Sequence, residues 1–191
     1  AALPNTSDDR DYAYLSSGTW SLLGIENPSP IIGETVDSFT FTNEGAVDGG
    51  IRYLRNIMGL WIVQECKRAW ESSMHNDTRR LSYGELAWLA EAAGPAGFRI
   101  NPNDNIFLNP NAPGNSMPLR LLKWCDENGE RFPAGEPETP TDVEIGMIVR
   151  GVLESLASEY AKTIADIKKL TGRSVNRLHI IGGGCQNRLL N

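Results

Sequence analysis

Residues 175–191 read VNRLHIIGGGCQNRLLN, and the fold turns on how this stretch is taken. Val175 to Ile181 is a short apolar run behind a helix stop at Gly172, which predicts a buried strand. Three glycines follow it, and the residues from about Gln186 predict the opening of a helix. Just upstream lies the longest helical pattern in the chain. Thr141-x-x-Glu144 has the form of a capping box, and Ile145, Ile148, Val149, Val152, Leu156, Tyr160, Ile164, Ile167 and Leu170 recur at intervals of one, three and four. At 1.5 Å per residue this rod is about 45 Å long. Helix, strand, glycine turn and helix in succession are an α/β signature.

Three adjacent glycines cost backbone entropy, so the position needs either positive φ angles or a close approach of the main chain. A strand that ends in glycines and opens a helix is a general anion site, because unpaired amides face the ligand. Packing of helix on strand is the plainer alternative. A Walker A loop would need Lys-Ser/Thr where Cys185-Gln186-Asn187 stands, and a Rossmann fingerprint would need its third glycine at Asn187. A second turn has the same capability. Ser16-Ser17-Gly18-Thr19 joins two predicted strands, Tyr12 to Leu15 and Trp20 to Ile25, and offers amides and hydroxyls to a phosphate or serves simply as a hairpin turn.

Further along, β-prone alternation marks Ser38 to Thr42, and residues 52–71, RYLRNIMGLWIVQECKRAWE, predict one helix with Leu54, Ile57, Met58 and Trp61 on a stripe and Gly59 in its middle. Ser82-x-x-Glu85 starts another helix that ends before Gly94-Pro95. Residues 98–118 predict an ordered loop with a short strand or two, a short helix runs from about Pro118 to Asp126, and residues 129–140 read as a linker.

Composition narrows the classes. The 191 residues fit one domain, or one and part of another, and 40% hydrophobic residues suffice for a core. A net charge of -6 argues against nucleic acid and anionic membranes, and no apolar run approaches a membrane span. Cys66, Cys125 and Cys185 are far apart with no CxxC pair, which fits buried, reduced cytosolic thiols rather than a metal site or a disulfide framework. The chain is read as soluble and cytoplasmic.

Four segments in order carry a resemblance: AYLSSGTWSLLGIE at 13–26, TNEGAVDGGIRYLRNIMGLWIVQE at 42–65, RINPNDNIFLNP at 99–110 and LHIIGGGCQNRLLN at 178–191. Together they resemble the C-terminal half of the FGGY family of carbohydrate kinases. LRNIMGLW and GGGCQN are the most specific parts, and residues 72–97 and 126–140 hold nothing diagnostic. The resemblance implies an actin-like ATPase lobe of ribonuclease-H-like fold, a mixed sheet flanked by helices with a long central helix. ATP would lie in a cleft against a second, N-terminal lobe, which is the expected partner.

Residue by residue, Thr19, Gln64 and Gly183 match ATP-binding positions, and Asn56 matches a position associated with the sugar. Predicted on one helix, Asn56 and Gln64 would sit roughly 80° apart and face one cleft. The implied reaction is Mg2+-ATP-dependent phosphorylation of L-rhamnulose at its terminal hydroxyl, with an L-fuculose kinase or an actin-like nucleotide switch as alternatives. The family's aspartate base falls upstream of this sequence, and Asp8, Asp9 and Asp11 are not assigned to it. Residues 1–191 are therefore expected to be an excised lobe, cut short in its last helix and inactive alone.

Overall fold

The computed structural model describes residues 11–32, 40–47, 49–73 and 80–191. Strands β1 (Tyr12–Ser17), β2 (Trp20–Asn27), β3 (Phe41–Gly45), β4 (Ile51–Met58) and β5 (Arg177–Ile181) form one mixed sheet in the order β3-β4-β2-β1-β5. The hairpin of β1 and β2 turns through Gly18, Thr19 and Trp20, with Ser17 opposite Ser21. β4 pairs antiparallel with β2 from Trp20–Met58 to Asn27–Ile51, and β3 with β4. β5 instead runs parallel to β1, from Tyr12–Arg177 to Ser16–Ile181. A parallel partner needs a long crossover, and helices α1 (Trp61–Ser73), α2 (Tyr83–Ala92), α3 (Met117–Asn128) and α4 (Asp142–Thr171) provide it.

One prediction is overturned. Residues 51–58 are the interior strand β4, not the first half of a helix, and the helix begins only at Trp61. Tyr53, Leu54, Arg55, Ile57 and Met58 are all buried, so the strand lacks the alternation that betrays a half-exposed one. Gly59 is consequently the strand-to-helix junction. A Cβ there would lie 2.5 Å from Ser21 Oγ and 2.7 Å from the Gly18 carbonyl oxygen. Arg55 crosses from β4 to α4, where Asp166 accepts at 2.9 Å and Thr163 at 3.2 Å.

The long helix forms as its sequence dictates. Thr141 and Glu144 close the reciprocal capping box, and Gly172 ends the helix in the left-handed conformation at φ 70°. Its apolar stripe, Ile145 through Ile167, is buried against the sheet and α2. Glycines set how closely its neighbours approach: a Cβ at Gly146 would come within 2.9 Å of the Leu89 carbonyl carbon of α2. Trp70 of α1 is fully buried and its indole N–H donates to the Pro137 carbonyl at 2.9 Å, which ties down the stretch predicted as a linker. Truncating such a tryptophan costs about 3–5 kcal/mol.

Smaller differences complete the picture. Ser82 accepts from the Glu85 amide as expected, and Gly129 caps α3 at φ 70°. Residues 98–118 carry a 3-10 turn at Asn105–Phe107 and an isolated bridge between Ala112 and Asn115 instead of strands. Of the strand expected at 38–42, residues 38 and 39 lie outside the described residues, as do Asp8 and Asp9; β3 starts at Phe41. Among the described residues, no helix is long and apolar enough to cross a membrane.

Candidate functional site

At the end of the sheet where β1 turns into β2 and β5 terminates, a cavity of about 360 Å³ opens between the two turns. Gly18 from the first turn, Gln64 from α1 and Gly183, Gly184, Gln186 and Asn187 from the second form its polar end. Leu86 and Ala87 of α2 with Val149 and Leu153 of α4 form its apolar end. A concave site of this size, mostly apolar with a few convergent polar groups, suits a small molecule.

Backbone hydrogen bonds weld the first turn to the start of α1. The Leu60 amide donates to the Gly18 carbonyl at 2.9 Å, and the amides of Gly59 and Trp61 donate to the Thr19 carbonyl at 3.2 and 3.1 Å. The Leu60 and Trp61 amides are among those a helix leaves unpaired at its start, and Gly59 leads into it, so the turn and the helix fix each other. The Thr19 hydroxyl donates to Gln64 Oε1 at 3.2 Å, on the exposed rim. Thr19, Gln64 and Gly183, picked separately from the sequence, are thus brought together.

The three glycines divide the labour. Gly182 has φ 87°, and a Cβ on it would sit 2.5 Å from the Ser17 carbonyl oxygen. A Cβ on Gly184 would collide with the Ser17 hydroxyl and lie 2.7 Å from Ser17 Cβ. Gly183 has nothing within 4 Å of such an atom. Two glycines therefore exist for close packing on β1, and the middle one lines the cavity with open space beside it. In place of the α-helix predicted from Gln186, the chain makes a single 3-10 turn, Gly183–Gln186. A 3-10 turn of this length aligns few peptides, and its opening amides are what it offers an anion.

Other expectations shift. Ser17, counted among the turn's phosphate-facing hydroxyls, is fully buried at the end of β1 and faces inward. Asn56 is exposed on β4, opposite Leu22, while its neighbour Ile57 points into the core. It therefore lies on the sheet face away from α4 and does not line the cavity. The expected helical juxtaposition with Gln64 does not occur, because a strand and a junction separate the two. Cys66 and Cys125 are buried as expected and Cys185 is exposed. Burial pushes the Cys66 thiol up, and pushes Cys125 up to about 12 with help from Glu130 and Asp126. Tyr83 and Gly84, which also line the cavity, were missed; their only signal was the Ser82 cap that starts α2 beside it.

Two turns at one end of the sheet close a cavity against a long helix, and comparison with known proteins gives the class of the lobe. Residues 13–191 match the C-terminal domain of the FGGY family of carbohydrate kinases, and the chain belongs to that family. Rhamnulokinases are among its relatives: those of Bacteroides thetaiotaomicron, Halalkalibacterium halodurans and an Enterobacter species are 39%, 35% and 36% identical over 96%, 100% and 100% of this chain. The chain spans about a third of the length of these curated relatives, covering 33%, 36% and 35% of them. Among solved structures, xylulose kinase from Rhodospirillum rubrum superposes with a TM-score of 0.58 at 14% identity, over 95% of this chain and 32% of that one. Plasmodium falciparum glycerol kinase with ADP gives 0.54 at 18%, over 95% and 33%. The fold is thereby the actin-like, ribonuclease-H-like lobe of sugar kinases.

Proposed function

We propose that this chain is the ATP-binding lobe of a carbohydrate kinase that converts L-rhamnulose to L-rhamnulose 1-phosphate. The observation that carries it is the convergence of Gly18, Gln64 and Gly183 on one cavity with an apolar far end, with Thr19 bonded to Gln64 at its rim. The relatives' shared name supports the choice of sugar.

The residues present fit a nucleotide. Leu86, Ala87, Val149 and Leu153 accept a flat ring, and the open space at Gly183 leaves room for a phosphate that any side chain would fill. Mg-ATP, when bound, supplies the phosphoryl group and neutralises charge on it. Among the described residues no group of three or more His, Cys, Asp or Glu side chains is placed to hold a metal ion, so the ion would travel with the phosphates. Thr19 and the opening amides of the glycine turn orient the phosphates, while Gln64 holds Thr19 in place. The upstream lobe of the longer protein would supply the carboxylate base and most of the sugar pocket, with Asn56 on the open sheet face reaching the sugar side. We place the enzyme in the cytoplasm, where its three unpaired thiols stay reduced.

The test joins the chain to the upstream lobe of its own gene and tracks ADP release from Mg-ATP with L-rhamnulose, with L-fuculose and with neither. ADP formed only with L-rhamnulose is expected. Release with L-fuculose alone would change the substrate, sugar-independent release would replace the kinase with a nucleotide switch, and residues 1–191 by themselves should release none.

A further inference from the structure

Beneath the polar end of the cavity three hydroxyls are sealed from water. Ser17 closes β1, Ser21 is the second residue of β2, and both are fully buried. Tyr160, reaching up from α4 and 5% exposed, places its hydroxyl 2.6 Å from Ser21 Oγ. Ser17 Oγ makes no hydrogen bond of its own. Burial raises the Tyr160 phenol above its usual range, and the Ser21 and Ser17 hydroxyls oppose the rise.

Everything that shapes the polar end rests on this trio. The Gly18–Thr19 turn is strung between Ser17 and Ser21. The junction at Gly59 packs onto Ser21, where a Cβ would lie 2.5 Å from the hydroxyl oxygen and 2.9 Å from the amide. The Gly182–Gly184 turn packs onto Ser17. The same helix that presents Tyr160 also presents Val149 and Leu153 to the apolar end. One rigid rod therefore sets the floor of both ends of the cavity.

We propose that Tyr160 is a positioning residue for the phosphate end of the site: its bond to Ser21 holds the Gly18–Thr19 turn, and through Gly59 the start of α1, in register with the glycine turn. This rests on the nucleotide site proposed above. A residue that positions only the phosphate turns has a signature that a general packing role lacks. Its removal weakens ligands that carry phosphate and spares the nucleoside.

Titration calorimetry of the full chain with ADP and with adenosine reads this directly. Tyr160→Phe deletes only the hydroxyl and keeps the ring. It is expected to weaken ADP about fivefold, the scale of one hydrogen bond, and to leave adenosine unchanged. Ser21→Ala should do the same, and the double variant should be no worse than either single one, because both remove one bond. Tyr53→Phe deletes a buried, unpartnered hydroxyl elsewhere on the sheet and should bind ADP as the wild type does. Unchanged ADP affinity in Tyr160→Phe, an equal loss of adenosine, or an equal loss in Tyr53→Phe would each overturn the assignment to Tyr160 alone. A wild-type chain that binds neither ligand would overturn the nucleotide site itself.

Discussion

Gly183 and Gly184 are neighbours in sequence that the structure makes unlike, so alanine at each should separate binding from folding. At Gly184 the new Cβ meets the Ser17 hydroxyl and stands 2.7 Å from Ser17 Cβ and 3.2 Å from its carbonyl oxygen. Carbon atoms pack at about 3.5–4.0 Å, and Ser17 is a buried residue of β1 that cannot swing aside. Overpacking of this kind costs about 1–3 kcal/mol, which for a chain of this size lowers Tm by roughly 2–12 °C. At Gly183 the new Cβ meets nothing within 4 Å, and φ there is not in the left-handed region. Alanine should fold there as well as glycine, or better by about 0.4–1 kcal/mol, because it narrows the unfolded ensemble. Its methyl group, however, stands in that open space, and ADP affinity should fall about tenfold, near 1.4 kcal/mol. Melting curves and ADP titrations of both variants decide it. If Gly183→Ala melts as far below the wild type as Gly184→Ala, or if Gly184→Ala melts with the wild type, the division of roles among the glycines is wrong.

Other consequences are as concrete. A Cβ at Gly151 would press into the Phe98 ring, with one ring carbon at 2.8 Å; Gly151→Ala should lose about 1–3 kcal/mol in urea unfolding, and a second change, Phe98→Leu, should return part of it if that contact is the cause. The amide and hydroxyl of Thr141 hold the Glu144 carboxyl below its usual 4.5. Its folded value lies under its unfolded one, so its contribution is full above about pH 4.5 and fades as the pH falls through the folded value. Being exposed, it contributes modestly. The stability gap between wild type and Glu144→Gln should therefore close on going from neutral pH to about pH 3, and a gap that stays constant would contradict the capping geometry. Of the three thiols, only Cys185 is exposed. A disulfide reagent should modify one thiol in the native chain and three in denaturant, and a second fast thiol in the native state would contradict the burial of Cys66 and Cys125.

Local rules settled much of this protein before any tertiary contact. The capping box at Thr141, the apolar stripe behind it and the stop at Gly172 fix α4 within a residue, because caps and periodicity act over a few neighbours. That two strands meet at a turn containing Gly18 and Thr19, and the run into Ile181, were legible for the same reason, though Ser16 and Ser17 belong to β1 rather than to the turn. Residues 51–58 were not, because what makes them a strand is pairing with β2 and β3, which come from elsewhere in the chain. Burial on both faces then erased the alternation that would have announced it. The motifs flagged Thr19, Gln64 and Gly183 one at a time, but that Gln64 and Gly183 line one cavity with Thr19 at its rim, while Asn56 stands apart on the opposite sheet face, is decided only by the tertiary fold. The glycine triplet shows the same boundary. Its composition said that something approaches the backbone closely, and only the parallel pairing of β5 with β1 decided that Ser17 is what approaches, since that contact joins residues more than 160 positions apart.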